Sequence, residues 1–368
     1  MSALQRAIDE VVRPAAAEVD AEAEFPEASI EALGEAGLLG LTVAEDMGGS
    51  GGSLADAVDV VRALAGVCGS TAMVVMMHYA ATAVVESRGP QEVRRQLGAG
   101  RHLATLAFSE AGSRSHFWAP LGTATKSGDA VRLDARKSWI TAAGRADYYV
   151  WSSRPVAAEG AMTLWLVPSA TAGLATPGPF DGLGLRGNCS APVDANGAEV
   201  PEQARLGDDG SGLDIALSEV LPWFLVLSAA FSVGVMEAVT DETGRHMTAT
   251  RLEHLDQTLA DQPVTRADHA RMRIATDGAA ALLHDTVAAV TTAQPHAPLR
   301  TLEVKAAAGE AAITVTDLAM KICGGAAFRR ELGVERHFRD ARAARVMAPT
   351  TDALLDFVGR AINGLPLL

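Results

Sequence analysis

Helical periodicity at both ends of the chain, with a β-type stretch between them, most limits the folds that this sequence can adopt. Apolar side chains recur at helical spacing through residues 1–105. Residues 106–212 instead contain short runs of β-branched and aromatic residues separated by Gly and Pro, with a hairpin signal at the turn 127–129. Helical periodicity returns through residues 213–368. The sequence therefore predicts an α+β protein with an N-terminal helical domain, a middle β domain and a C-terminal four-helix bundle over these ranges.

The C-terminal part holds long segments of helical periodicity, one of which includes an almost entirely apolar run. We place these segments at 217–255, 262–291 and 300–323, with a last one that ends near Ile362. The apolar run, 220–236, contains a proline and two serines and has a glutamate at each border. We interpret it as a helix buried inside the bundle, because it is slightly short for a membrane span.

Charge and cysteine content narrow the classes of partner. The net charge of −14 disfavours a nucleic acid or an anionic membrane as a partner. The three cysteines lie far apart and have neither metal-ligand nor disulfide spacing, so we expect no metal. The N-terminal segment is acidic and amphipathic, unlike a signal peptide. We expect a cytoplasmic protein.

Several common catalytic motifs are missing from the sequence. The Gly-rich loop at 48–52 lacks the Lys-Ser/Thr pair of a phosphate-binding P-loop and no strand precedes it, so we interpret it as a connector between helices. The sequence contains neither a Gly-x-Ser-x-Gly elbow nor a His-Glu-x-x-His motif. Hydrolase and metalloprotease chemistry are therefore disfavoured.

Six segments occur in the order and spacing typical of one enzyme family. They are GLLGLTVAEDMGGSG at 37–51, AFSEAGSRS at 107–115, KSWITAAGRAD at 137–147, GLRG at 184–187, KICGG at 321–325 and VERHFRDAR at 334–342. On these segments, which span nearly the whole chain, the sequence resembles the FAD-dependent acyl-CoA dehydrogenase superfamily. The resemblance implies the acyl-CoA dehydrogenase-like fold and α,β-oxidation of an acyl thioester carried by CoA or by a carrier protein.

The resemblance also implies where FAD and substrate bind. The family's flavin contacts correspond to positions on two segments of this sequence. Its adenine and phosphate contacts correspond to positions near the C-terminal helices. The flavin positions are Phe108, Ser109, Trp139, Ile140 and Thr141, the other FAD positions are Arg251, Lys321, Gly324 and Gly325, and the substrate positions are Ser115 and His116. Because the Gly-Gly contact reaches a neighbouring subunit in the family, we expect a homo-oligomer, either a dimer or a tetramer. A redox partner or flavin reductase is implied as well.

The sequence departs from the family at the catalytic base. Counting from the Arg-Asp-Ala motif places Ala348 where the family usually has a glutamate, and the alternative position on the apolar helix holds Phe224. Neither side chain accepts a proton. The candidates for a relocated base are Glu219, His78, His116 and Asp352. On an apolar helix, a carboxylate such as Glu219 is expected to have a raised pKa, which suits proton abstraction.

Three interpretations of this departure stay open at the level of sequence. The base is one of the relocated candidates, or the protein is a two-component flavin-dependent monooxygenase of the same fold, which needs no α-proton base. In the third, the chain is a homologue that binds FAD without catalysis. A bulky pair, Phe117 and Trp118, follows the flavin loop and either reshapes the acyl entrance or fills the core.

Overall fold

The structure, a computed structural model, describes residues 2–114 and 116–367. Ser115, which the sequence assigned to the substrate site, lies outside the described residues. The N-terminal part is helical, and its first two helices are joined by a π-helical turn at Ile8–Val12. These helices are α1 Ala3–Ala7, α2 Arg13–Glu22, α3 Glu27–Glu35, α4 Leu54–Ala65, α5 Gly69–Arg88 and α6 Gln91–Gly98.

Helix α5 is the central element of the N-terminal part. It is buried on nearly every side from Gly69 to Thr82 and packs against α4, as expected for a helix that is apolar all around. Helix α4 before it begins at a capping box, in which the side chains of Ser53 and Asp56 each accept a bond from the other residue's backbone N–H. The loop at 48–52 between α3 and α4 folds against the chain that precedes it, because Gly51 and Gly52 donate hydrogen bonds to backbone carbonyls of residues 41–43.

The middle part contains two sheets. One has the order β1-β4-β5, with β1 parallel to β4, and the other has the antiparallel order β2-β3-β7-β6. The predicted hairpin at 127–129 joins β2 to β3, which confirms that prediction. The strands are β1 Ala104–Ala107, β2 Thr123–Ser127, β3 Ala130–Ile140, β4 Tyr148–Ser153, β5 Thr163–Pro168, β6 Leu174–Ala175 and β7 Ala191–Pro201.

The C-terminal part is a bundle around three long helices. Its elements are α7 Gly212–Ile215, α8 Leu221–Ala249, β8 Arg251–Leu252, β9 Gln257–Thr258, α9 Pro263–Thr291, α10 Ala297–Cys323, α11 Val334–Ala341, α12 Ala343–Val346 and α13 Thr351–Ile362. Helix α10 packs against α8, α9 and α13, so the predicted bundle and the α+β fold class are confirmed. The prediction that the first segment stays helical to residue 255 is wrong, because β8 and β9 pair as a short hairpin there.

The segment Gly212–Ala249 is long and apolar enough to cross a membrane by length and composition. In the fold, 78% of its most apolar window is buried among other elements. That burial fits the prediction of a core helix in a bundle.

The Arg-Asp-Ala segment of α11 joins all three parts of the molecule. Arg339 donates to the Asp20 carboxylate of α2 at 2.8 and 2.5 Å, and its Nη1 also donates to the Leu183 carbonyl at 3.2 Å. The Asp340 carboxylate accepts from the Leu185 backbone N–H at 2.6 Å. A Cβ on Gly184 would lie 2.5 Å from the Arg339 backbone, so glycine is needed for this close approach.

We expect Arg339→Gln to lower the free energy of unfolding by about 2–3 kcal/mol, because it leaves the nearly buried Asp20 carboxylate without its cation. Urea denaturation measures this loss. The matched control is Arg345→Gln, whose partner Glu310 is well exposed, and there the loss is expected to stay below about 1 kcal/mol. Equal losses in the two variants would contradict the special role of Arg339.

Candidate active site

A cavity of about 340 Å³ lies where the β domain meets the two helical parts. The β domain supplies most of its polar lining. From that domain come Leu106, Phe108, Ser109, Glu110, Arg114, Phe117, Ser138, Trp139, Ile140, Thr141, Phe180, Gly182, Gly184, Leu185, Arg186, Asn188 and Ser190. The helical parts supply an apolar lining that consists of Met73, Met77, Ala216, Val220, Leu221, Phe224, Ala343, Val346, Met347, Ala348 and Pro349.

The loop that follows β1 lies against the end of β3. Ser138 donates its backbone N–H to the Ser109 carbonyl at 3.0 Å, and Ala111 donates to the Arg136 carbonyl at 2.9 Å. Between these bonds, Glu110 and Lys137 face each other in an isolated bridge. The two segments 107–114 and 137–147, far apart in sequence, are therefore neighbours at the cavity.

A buried ion pair fixes this arrangement. Lys137 Nζ donates to Glu110 Oε1 at 2.7 Å, to the Ser152 carbonyl at 2.7 Å and to Ser152 Oγ at 2.9 Å. Both charged side chains are almost fully buried. Burial lowers the pKa of Lys137 to about 8, although the Glu110 carboxylate opposes this shift. Glu110 also accepts from the backbone N–H groups of Leu121 and Gly122, so its acceptors are engaged.

Trp139 forms an exposed aromatic surface of the cavity. The residue is 61% exposed although it lies at the end of a strand, and its ring packs against Phe180 with 4.3 Å between ring centroids. Its φ of +58° is in the left-handed region, where a bulky side chain is strained. Arg114 and Leu185, which also line the cavity, have φ values of +55° and +53°. Strained residues of this kind cluster at functional sites.

The five residues that the sequence assigned to the flavin all line this one cavity. They are Phe108, Ser109, Trp139, Ile140 and Thr141.

The other four predicted FAD residues lie elsewhere on the chain. Arg251 is exposed and pairs with Asp256 in the β8–β9 hairpin. Lys321 Nζ donates to Asp268 at 2.7 Å. Gly324 and Gly325 follow α10 with their backbones exposed, and a Cβ on either would meet nothing within 4 Å of the described chain.

The predicted relocated bases do not reach the cavity, and Glu219 has the opposite pKa shift from the one expected. Burial acts to raise the pKa of Glu219, but hydrogen bonds from Arg88 and Ser87 lower it overall. Arg88 Nε donates to this carboxylate at 2.9 Å, and Ser87 Oγ donates to it at 2.5 Å. Glu219 is therefore an engaged, ionised carboxylate outside the lining, which corrects its assignment as a base.

His78 is a structural residue. Its Nε2 lies 2.8 Å from the Leu39 carbonyl, and its Nδ1 accepts from the Ala104 backbone N–H at 3.1 Å. Complete burial lowers the pKa of His78 to about 4. The neutral ring thus donates through Nε2 and has its other nitrogen occupied, so its assignment as a base is also wrong.

His116 and Asp352 are both exposed and neither lines the cavity. His116 Nδ1 lies 3.1 Å from the Ser113 carbonyl, and its ring packs edge-on against Trp118. Trp118 in turn packs against Phe357, whereas Phe117 lines the cavity. Phe117 is therefore part of the cavity wall, whereas Trp118 packs against α13.

Ala348 and Phe224, which occupy the family's two base positions by the sequence count, do line the cavity. Within the described part of the chain, Glu110 is the sole carboxylate of the lining, and Lys137 holds it. The described lining thus offers no unengaged carboxylate to accept a proton.

Sequence reasoning missed Lys305, which supports the wall of the cavity. This lysine of α10 is almost fully buried, and its Nζ lies 3.3, 3.0 and 2.7 Å from the carbonyl oxygens of Ala344, Met347 and Pro349. Met347 and Pro349 are the residues on either side of Ala348. The one available signal was a lysine inside an apolar helical stretch, which does not reveal its partners.

The lowered pKa of Lys305 predicts that the free energy of unfolding depends on pH. Burial lowers its pKa from 10.5 to about 7, so between these values the unfolded chain binds more protons than the folded one. Stability therefore rises with pH in that window. We expect the free energy of unfolding of the wild type, minus that of Lys305→Met, to increase by about 2 kcal/mol from pH 7.5 to pH 9. Urea denaturation at both pH values measures it, and a difference that stays constant would contradict the shift.

Comparison with known proteins places this geometry in a family. The acyl-CoA dehydrogenase domains match as an N-terminal domain over residues 1–99, a middle domain over 105–196 and a C-terminal domain over 210–363. The chain is 28% identical to the mitochondrial short-chain specific acyl-CoA dehydrogenase of Bos taurus over 355 residues, which covers 92% of this chain and 83% of the relative.

Solved structures agree on the fold. The butyryl-CoA dehydrogenase of Megasphaera elsdenii superposes with a TM-score of 0.91 at 22% identity, covering 98% of this chain and 96% of the other. The prolyl acyl carrier protein oxidase AnaB superposes with a TM-score of 0.89 at 20% identity and the same coverage.

Proposed function

Because this chain belongs to the acyl-CoA dehydrogenase superfamily, we propose that it is an FAD-dependent oxidoreductase that acts on the CH–CH bond of an acyl thioester. One observation carries the proposal. The five predicted flavin residues, from two segments distant in sequence, line the same cavity as an apolar wall from α5 and α8. Such a cavity suits a flat polar cofactor beside an apolar acyl group.

The residues of the β-domain wall fit a flavin. Trp139 is largely exposed and has a strained backbone, and Ser109 and Thr141, which carry hydroxyl groups, belong to the same lining. These residues would hold the isoalloxazine by packing and hydrogen bonding. When bound, a flavin supplies the capacity to accept two electrons and a hydrogen from a carbon centre.

The helical wall would bind the acyl chain and exclude water. Met73, Met77, Val220 and Phe224 are buried side chains with no charge, and the methionines can adapt to irregular shapes. Burial of an acyl chain here would contribute about 0.8 kcal/mol for each methylene group removed from water. The thioester carrier, CoA or a carrier protein, would stay outside this apolar wall.

A neighbouring subunit would complete the cofactor site. Gly324 and Gly325 expose backbone with no intrachain neighbour at their Cβ positions among the described residues, and Lys321 beside them keeps an exposed side chain. These features support a homo-oligomer in which this segment faces the FAD of another copy. Asp268 already neutralises much of the Lys321 charge, so its effect on a phosphate would be modest.

A flavin monooxygenase of the same fold is the second candidate. The described lining contains no unengaged carboxylate. This observation favours a monooxygenase, because oxygen activation needs no base to remove an α proton. In that case substrate oxidation would depend on an external flavin reductase and on oxygen. Anaerobic bleaching of the bound flavin by an acyl thioester alone would contradict it.

The purified protein is expected to be yellow and to release FAD, not FMN, on denaturation. Trp139→Ala is expected to weaken FAD binding about 10-fold or more, because stacking of a base or ring on an aromatic side chain contributes about 1–3 kcal/mol. Flavin fluorescence titration measures the affinity. Trp118→Ala, which removes a nearby indole outside the lining, is the matched control and should bind FAD as the wild type does. A colourless protein that takes up no FAD would refute the proposal.

The wild type is expected to be reduced very slowly by simple saturated acyl-CoAs. General-base catalysis contributes on the order of 100-fold to 10,000-fold, so Ala348→Glu is expected to raise the anaerobic reduction rate by about 100-fold. Stopped-flow absorbance of the flavin measures the rate. Ala343→Glu puts a carboxylate elsewhere in the same lining and should not raise it. Fast reduction of the wild type would mean that a proton acceptor other than a lining carboxylate serves as the base.

A further inference from the structure

We propose that Arg114 binds an oxyanion of the ligand that fills the cavity, either a phosphate of the cofactor or thioester carrier, or a carboxylate of the acyl group. This inference rests on the proposed function for the identity of the ligand. Three features point to the site itself: the charge of Arg114, the hydrogen bonds that hold the loop before it, and its lack of partners among the described residues.

Arg114 is a cation that has no counterion among the described residues. It lines the cavity, and its guanidinium makes no hydrogen bond or ion pair with residues 2–113 or 116–367. Most other arginines at the domain boundaries are engaged; for example, Arg186 of the same lining donates to the Asp20 carbonyl at 2.9 Å and pairs with Asp181. Arg114 therefore keeps its fork of donors available for a carboxylate or phosphate.

The cavity as a whole has unbalanced positive charge. Its one described carboxylate, Glu110, is neutralised by Lys137 behind the lining. Arg114 then adds a positive charge that no described lining residue offsets, in a chain whose net charge is −14. A ligand with an oxyanion near Arg114 would balance that charge.

The loop that carries Arg114 is anchored from both sides. Glu110 accepts from the Gly122 backbone N–H at 3.0 Å, and Ser113 Oγ donates to the Glu110 carbonyl at 3.0 Å. The buried Glu110–Lys137 pair holds this base of the loop against β3. The backbone from Glu110 to Ser113, directly before Arg114, is therefore held by bonds within the chain, which lowers the cost of ordering the loop on binding.

The backbone conformation argues against a stabilising role for this side chain. Arg114 has a φ of +55°, which glycine adopts readily and a long side chain adopts with strain. The strain is not offset by an intrachain contact of the guanidinium among the described residues. A role in binding explains why a side chain stands there.

The test compares Arg114→Gly with the wild type, using the full-length protein. Three dissociation constants are measured: FAD by fluorescence quenching in the apoprotein, and pentanoyl-CoA and glutaryl-CoA by perturbation of the flavin spectrum in the holoprotein. Arg132→Gln is the control, because Arg132 lies on β3 outside the lining and pairs with Asp134. Thermal unfolding is recorded for each variant.

We expect Arg114→Gly to weaken at least one ligand about 10-fold or more, with a melting temperature equal to or above that of the wild type. Weaker FAD binding identifies the cofactor phosphate, equal loss for both thioesters identifies a carrier phosphate, and a loss confined to glutaryl-CoA identifies an acyl carboxylate. Arg114→Lys should retain part of the affinity, since it keeps the charge but not the fork. Unchanged affinity for all three ligands would overturn the inference, whereas a wild type that binds no FAD would refute the proposed function instead.

Discussion

The buried Lys137–Glu110 pair is the interaction on which the cavity depends. It joins the loop after β1 to the end of β3, so Ser109 and Trp139 lie in the same wall although they come from segments far apart in sequence. Removal of either partner would leave a charge in an almost fully buried position, which is strongly unfavourable. The exposed indole of Trp139 and the loop that carries Arg114 both lie close in sequence to this contact.

Much of the fold was predictable from periodicity and from ordered sequence segments. The alternation of helix, sheet and helix, the hairpin at 127–129 and the convergence of Phe108 with Trp139 on one cavity were all accessible from sequence. The base candidates were not, because their assignment depended on partners distant in the chain. Glu219 pairs with Arg88, 131 positions away, and His78 bonds Leu39 and Ala104. The position of a residue on an apolar helix indicates that it is buried, but it does not indicate which hydrogen bonds its side chain makes.

The chain combines the scaffold of its family with a cavity whose described lining has no unengaged carboxylate. Lys305 holds the carbonyls on both sides of Ala348, so the wall is well supported where a small apolar side chain stands. The lining keeps polar groups suited to a flavin and apolar groups suited to an acyl chain, while its charge is positive at Arg114. The described lining therefore has groups that suit binding and orientation of such ligands, but no free carboxylate for proton removal.

Exchange of the substrate α-proton tests most directly whether a base is missing. Butyryl-CoA and octanoyl-CoA are incubated with the holoprotein in D2O without an electron acceptor, at concentrations that perturb the flavin spectrum, and deuterium at the α carbon is followed by NMR. We predict exchange no faster with the wild type than in buffer at the same pH, and enhanced exchange with Ala348→Glu. Rapid exchange catalysed by the wild type would show that a base does reach the α carbon and would contradict this interpretation of the cavity.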